Sequence, residues 1–266
     1  MSEVAETPMD APEQSESGDR SVKPFELFFD LVFVFAFTQV TQLLASDPTW
    51  EGLGRGVLLI ASLWIAWQSY AWLGTAIDLD EGAVRLAMLA VMGAMLAGAL
   101  AVPGAFGDTA ILFAVAYAFV RILQLVLFGI AAREMYGMFP AMLVLARSTV
   151  LTSTIVIVGA VSGWGPLEAW WAGALLIEYG WILVMNLSGW AVSPGHFSER
   201  HGLIFIIALG EAVISIGIGV SGLAIDAKVV IPAMLGLGVI VAMWWTYFDV
   251  TSLCTERHLK AITGRR

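Results

Sequence analysis

Polar residues along this chain fall in short clusters, and the stretches between them are almost wholly apolar over about twenty residues each. At a helical rise of ~1.5 Å per residue, a stretch of that length spans the hydrocarbon layer of a bilayer. Reading apolar windows between Gly, Pro and charged clusters predicts eight helices, over 25–44, 53–74, 84–102, 109–130, 139–161, 167–188, 201–220 and 229–249. The gaps at 46–51, 103–108 and 162–166 are too short to hold a domain, so neighbouring helices should run antiparallel. The expected fold is all-α, a polytopic transmembrane helix bundle of eight spans forming one domain over residues 22–250.

Composition agrees with that pattern. Charged residues make up 13% of the 266 and hydrophobic residues 59%, whereas soluble domains carry roughly 25% charged residues. Much of the net charge of -9 comes from residues 1–21, where Glu3, Glu6, Asp10, Glu13, Glu16 and Asp19 sit among Ser, Pro and Gly. Such a segment is expected to be a disordered acidic tail. It has no apolar h-region, so the first span is expected to act as an uncleaved anchor. Residues 251–266 form a short basic tail, and no other basic stripe exists, which argues against a nucleic-acid partner.

Charge also orients the bundle. Arg20, Lys23, Arg85, Arg133, Arg200, Arg257, Lys260, Arg265 and Arg266 fall on the side of the N-terminus, with only Arg55 and Lys228 opposite. The positive-inside rule then places both termini in the cytoplasm, which an even number of spans allows. On that assignment the glycosylation sequon Asn186-Leu187-Ser188 lies on the cytoplasmic side and is discounted. Cys254 is the only cysteine, which excludes an internal disulfide and a cysteine-based metal cage.

Two short patterns recur at an offset of 177. Ser21-Val-Lys23 opens the first span and Ser198-Glu-Arg200 the seventh, and Trp67-x-x-Tyr70 returns as Trp244-x-x-Tyr247. Either six spans form a repeat unit, with two spans of a second unit following, or abundant aromatics match by chance.

The candidate chemistry lies in charges that fall inside apolar windows, because an acid or arginine there must face protein, a wet cavity or the headgroups. In the first span Glu26, Asp30, Thr38 and Thr41 share one helical face. Glu26 reads either as a headgroup residue beside Lys23 or as part of a cytoplasmic vestibule that binds a proton or cation together with Asp30. Glu211 lies ten residues into the seventh window and is the most deeply placed acid, with Gly210 and Gly217 offering close approach to another helix. Arg121 and Arg147 fall inside spans four and five and stay charged at any depth. Their available anions are Glu178, Glu211 and Asp30. Ser148, Thr149, Thr152, Ser153 and Thr154 either bond back to their own helix or line a polar path. Trp50, Trp164, Trp170, Trp171 and Trp190 read as interfacial anchors, and Trp64, Trp67, Trp72, Trp244 and Trp245 as packing.

Catalytic signatures are weak. Gly219-Val-Ser221-Gly222 lacks a base within reach, since His201 sits a membrane thickness away on the same helix. His196, Glu199 and His201 do not have the spacing that places two imidazoles on one helical face. No catalytic residue, metal site or cofactor is expected.

The segments Glu26-Leu-Phe-Phe-Asp-Leu-Val-Phe-Val-Phe-Ala-Phe-Thr-Gln39, Glu199-Arg-His-Gly-Leu-Ile-Phe-Ile-Ile-Ala-Leu-Gly-Glu211 and Trp244-Trp-Thr-Tyr-Phe-Asp249 resemble, in that order, the bacterial low-temperature-requirement A (LtrA) family. The resemblance covers about residues 22 to 250. It implies a multi-pass protein of the bacterial inner membrane, linked by name to growth in the cold, and it implies topology more than chemistry. It marks Glu26, Asp30, Arg200, His201, Gly202, Gly210, Glu211 and Asp249 without giving them roles. This chain ends after its eighth span, where family members continue with further spans.

Three functions are consistent with these residues. One is a transporter or channel using intramembrane carboxylates for proton or cation coupling. A second is a non-transporting scaffold or sensor of bilayer state, in which the same charges hold helices together. The weakest is an intramembrane lipid-modifying enzyme. The expected partners are the lipid bilayer and protons or small ions, and a homo-oligomer is left open.

Overall fold

A helix whose backbone groups are all satisfied internally is one of the two structures that can cross a bilayer, and this chain folds as helices alone among its described residues. The computed structural model describes residues 22–134, 139–184 and 194–251. The acidic tail, the sequon and most of the basic tail lie outside them. Eight helices follow in order: α1 Pro24–Ser46, α2 Trp50–Ala76, α3 Gly82–Ala101, α4 Ala110–Glu134, α5 Phe139–Ser162, α6 Leu167–Val184, α7 Pro194–Gly219 and α8 Ala227–Trp245. A π-helical turn, Thr246–Thr251, continues α8. Seven of these segments are long and apolar enough to cross a membrane.

Local chemistry sets the helix starts. Pro24 opens α1, where a missing N–H costs nothing because no intrahelical acceptor exists for it. Thr49 Oγ1 caps α2 by accepting from Gly52 N at 3.0 Å, and Asp226 caps α8 by accepting from Lys228 N and Val229 N. The largest difference from the sequence expectation is at α7, which begins at Pro194 and not near residue 201. Its first two turns carry His196, Ser198, Glu199, Arg200 and His201, so an apolar window misses them. His196 and Arg200, one turn apart, are buried against protein.

Ion pairs at the two ends show how the helices alternate. Lys23 at the start of α1 pairs with Asp78 just after α2. Arg55, early in α2, pairs with Glu168, early in α6, at 2.7 Å. Thus α1 starts on the face where α2 ends, and α2 and α6 start together on the opposite face. The core lies among α1 to α4, around Phe29, Phe33, Trp67, Tyr70, Met88, Val91 and Phe113. Gly159 lets α5 and α6 close together, since a Cβ there would meet Trp170 Cγ at 2.5 Å. By contrast α8 packs chiefly on α7 and has no buried residue.

Candidate functional site

Burying a carboxylate is costly unless a cation and hydrogen bonds compensate, and where α1, α2 and α7 meet the chain supplies both. Glu26 and Asp30, one turn apart on α1, are 5% and 0% exposed. Arg200 of α7, fully buried, places Nη1 2.9 Å from Glu26 Oε2 and Nη2 3.3 Å from Asp30 Oδ1. Trp67 of α2 donates from Nε1 to Asp30 Oδ1 at 2.7 Å. Arg200 Nη1 also donates to the main-chain oxygen of Tyr70 at 3.3 Å, and its guanidinium lies 5.6 Å from the Phe29 ring centroid. His196, one turn before Arg200, holds Nε2 3.3 Å from the Glu26 carboxylate. Gly74 makes room for this pair: a Cβ there would stand 2.8 Å from Arg200 Nη1 and 3.1 Å from Glu26 Oε2.

A second buried group forms around α4 and α6. Arg121 pairs with Glu178, both nearly inaccessible. Its Nη1 donates to Ser69 Oγ at 2.7 Å and Gln124 Oε1 at 2.8 Å, and Nη2 donates to Thr149 Oγ1 at 3.2 Å. Thr152 donates to Glu178 Oε2 at 3.4 Å. Back-bonding to its own helix holds for part of the α5 hydroxyl run. Thr154 bonds back to Val150 O at 2.7 Å, while Thr149 and Thr152 turn toward the ion pair. A cavity of about 160 Å³ leads to this group between α2, α4, α5 and α6.

The structure brings together Glu26, Asp30 and Arg200 in one group and Arg121 and Glu178 in another. Glu26 is thus a buried residue and not a headgroup neighbour of Lys23, whose partner is Asp78. Arg147 is exposed on α5 and joins neither group, so the second buried arginine is Arg200, which the apolar windows had left outside the membrane. Glu211 is half-buried on α7, away from both groups, and makes no ion pair among the described residues. Gly210 and Gly217 receive no close helix, since a Cβ at either would meet nothing within 4 Å. His201 donates from Nδ1 to Phe197 O at 2.8 Å, and its ring lies T-shaped to that of Trp67 with centroids 4.8 Å apart. Asp249 is exposed in the π-helical turn. Trp171, expected at the interface, is buried against Phe113 and Tyr117.

Sequence reasoning weighed His196 only as a metal ligand, placed Gln124 beside Arg121 at helical spacing, and passed over Gly74 and Ser69. It read Trp67 and Tyr70 only as packing or as a repeat. Their signal was a period of three to four residues along α2 at Trp67, Tyr70 and Gly74, which faces α1 and α7. Ser221 is exposed in the turn after α7, at the opposite end of that helix from His196 and His201. Among the described residues no group of three or more His, Cys, Asp or Glu could hold a metal ion.

Comparison with known proteins adds identity to this geometry. An uncharacterized protein of Rhizobium meliloti is 32% identical over 250 residues, covering 88% of this chain and 60% of the relative. The chain therefore spans about three fifths of the length of that curated relative. No solved structure matches it. The family model for the bacterial low temperature requirement A protein matches residues 21–265, and the chain belongs to the LtrA family.

Proposed function

We propose that this chain is a transporter or channel of the bacterial inner membrane, with both termini cytoplasmic, in which Glu26 and Asp30 bind and release a proton or small cation. The supporting observation is the charge balance of the α1–α7 group: two buried carboxylates face one arginine, with His196 beside Glu26. Two negative charges against one positive leave a deficit of one cation, which a proton on His196, a proton on a carboxylate, or a bound cation would close. A buried group with such a deficit is a natural exchange site. It lies at the face where α1 and α7 begin, which the positive-inside rule makes cytoplasmic.

Purified protein reconstituted into liposomes with an entrapped pH dye tests this reading. An imposed cation or pH gradient should drive flux through the wild type, and Asp30→Asn and Glu26→Gln should each reduce it at least tenfold. Absence of flux in the folded wild type would remove the proposal.

The scaffold reading draws on the other group, where Arg121 and Glu178 balance each other and link α2, α4, α5 and α6 through Ser69, Gln124, Thr149 and Thr152. If the charges are only interhelical glue, exchanging Arg121 and Glu178 should restore both folding and cellular function. A transport role at that pair would not survive the exchange.

A further inference from the structure

Two polar side chains of α5 point in opposite directions. Thr149 turns inward, where its Oγ1 accepts from Arg121 at 3.2 Å. Arg147 lies two residues earlier, about 200° round the helix, and is exposed on the outer face. Since α5 runs from Phe139 to Ser162, Arg147 stands about 12 Å from the end where the helix starts and about 22 Å from the other. The apolar span begins at Met142, so this arginine lies inside it.

Every other arginine whose side chain is described has a carboxylate partner. Arg55 has Glu51 and Glu168, Arg85 has Asp80, Arg121 has Glu178, and Arg200 has Glu26 and Asp30. Arg147 makes no ion pair or hydrogen bond among the described residues. A guanidinium stays charged at any depth and carries five N–H donors. On the outer face of a span, its counter-ion has to come from the surroundings of the bundle.

Direction and neighbours select that anion. The Cα–Cβ bonds of a helix tilt toward its N-terminus, so Arg147 is aimed at the headgroup layer nearer to it. Its stem can stay in hydrocarbon while the charge reaches back toward that layer. Leu143, Val150, Leu151 and Val158 are exposed and apolar, and each lies within about 60° of Arg147 around the helix. Val150, Leu151 and Val158 are deeper in the span, where the acyl chains of a lipid run when its phosphate meets the guanidinium. The planar fork of arginine also fits two oxygens of one phosphate.

We propose that Arg147 is the seat of a phospholipid phosphate, with the acyl chains lying along Val150, Leu151 and Val158. The phosphate offsets the charge, so replacing Arg147 changes stability little, and lipid occupancy is the quantity that reports on the site. The proposal does not rest on the transport reading, since it concerns a lipid on the outer face of α5.

Native mass spectrometry of the delipidated full chain, released from detergent micelles, tests it. Wild type and Arg147→Gln are mixed in one sample, so both meet the same lipid. Phosphatidylglycerol should bind the wild type about tenfold more tightly, with Arg147→Lys between the two because it keeps the charge and loses the fork. Diacylglycerol of the same chains, which has no phosphate, should bind all three alike, and inorganic phosphate should not displace the lipid. Equal phosphatidylglycerol binding by wild type and Arg147→Gln would overturn the proposal. So would an equal preference of the wild type for diacylglycerol, which would assign the binding to the chains alone. Displacement by inorganic phosphate would make this a free-phosphate site, and a dimer lost in Arg147→Gln would give the counter-ion to a carboxylate of a second copy. Either result overturns the lipid assignment.

Discussion

The main-chain oxygen of Tyr70 accepts a hydrogen bond from Arg200 Nη1 at 3.3 Å, while the hydroxyl of the same residue donates to Val120 O at 2.7 Å, next to Arg121. Tyr70 of α2 thus touches one buried charge group directly and the main chain beside the other. Ser69, its neighbour in sequence, accepts from Arg121 on the other side of the helix. A shift of α2 along its axis would disturb both groups together, so α2 is the element through which they are mechanically joined.

Arg200 carries the charge balance of the α1–α7 group. Arg200→Leu should lower stability by about 3–5 kcal/mol, because it leaves two buried carboxylates without their cation. Thermal unfolding in detergent measures the loss. Adding Asp30→Asn to Arg200→Leu should recover part of it, since one uncompensated charge is removed.

Gly74 should tolerate no Cβ at that contact. Gly74→Ala forces the Arg200 guanidinium or the Glu26 carboxylate aside, with an expected cost of about 1–3 kcal/mol. Gly54 lies in the same helix with nothing within 4 Å of a Cβ, so Gly54→Ala should stabilise by about 0.5–1 kcal/mol through helix propensity alone. Opposite signs in one unfolding series are the expected result.

Trp67→Phe keeps an aromatic ring against Trp64 and His201 but removes the donor to Asp30 Oδ1. The carboxylate loses one of its two recorded partners, and the expected cost is about 1–3 kcal/mol. In the liposome assay proposed above, the same variant should alter the pH at which flux is half-maximal. A purely packing role for Trp67 would change stability and leave that pH where it is.

The two arginines inside spans four and five should behave in opposite ways. Arg121→Leu strands Glu178 among buried groups and should cost about 3–5 kcal/mol. Arg147→Leu replaces an exposed side chain on the outer face of α5 and should be neutral or slightly stabilising in a bilayer. Unfolding by denaturant of the two variants in parallel checks the contrast.

Most of the architecture was legible along the chain. Bilayer thickness imposes one length on every span, and helices satisfy their own backbone, so an apolar window is nearly a helix assignment. α1 to α6 accordingly fall within a few residues of their windows. Where that logic breaks is instructive. The first two turns of α7 are polar, and hydropathy reads polar residues as loop whether they face water or a buried carboxylate.

The sequence by itself determined the class of molecule, its helices and the suspicion attached to Glu26, Asp30, Arg121 and Glu178, because the cost of a charge in hydrocarbon is a property of the residue and its window. Only the tertiary structure decided the pairings. Arg200 meets Glu26 across 174 residues of chain, Arg121 takes Glu178 in place of Glu211 or Asp30, and Arg147 turns outward. Which face of a helix meets which neighbour depends on helix rotation and on where small residues such as Gly74 permit approach. Those are relations between elements, and no window along one element contains them.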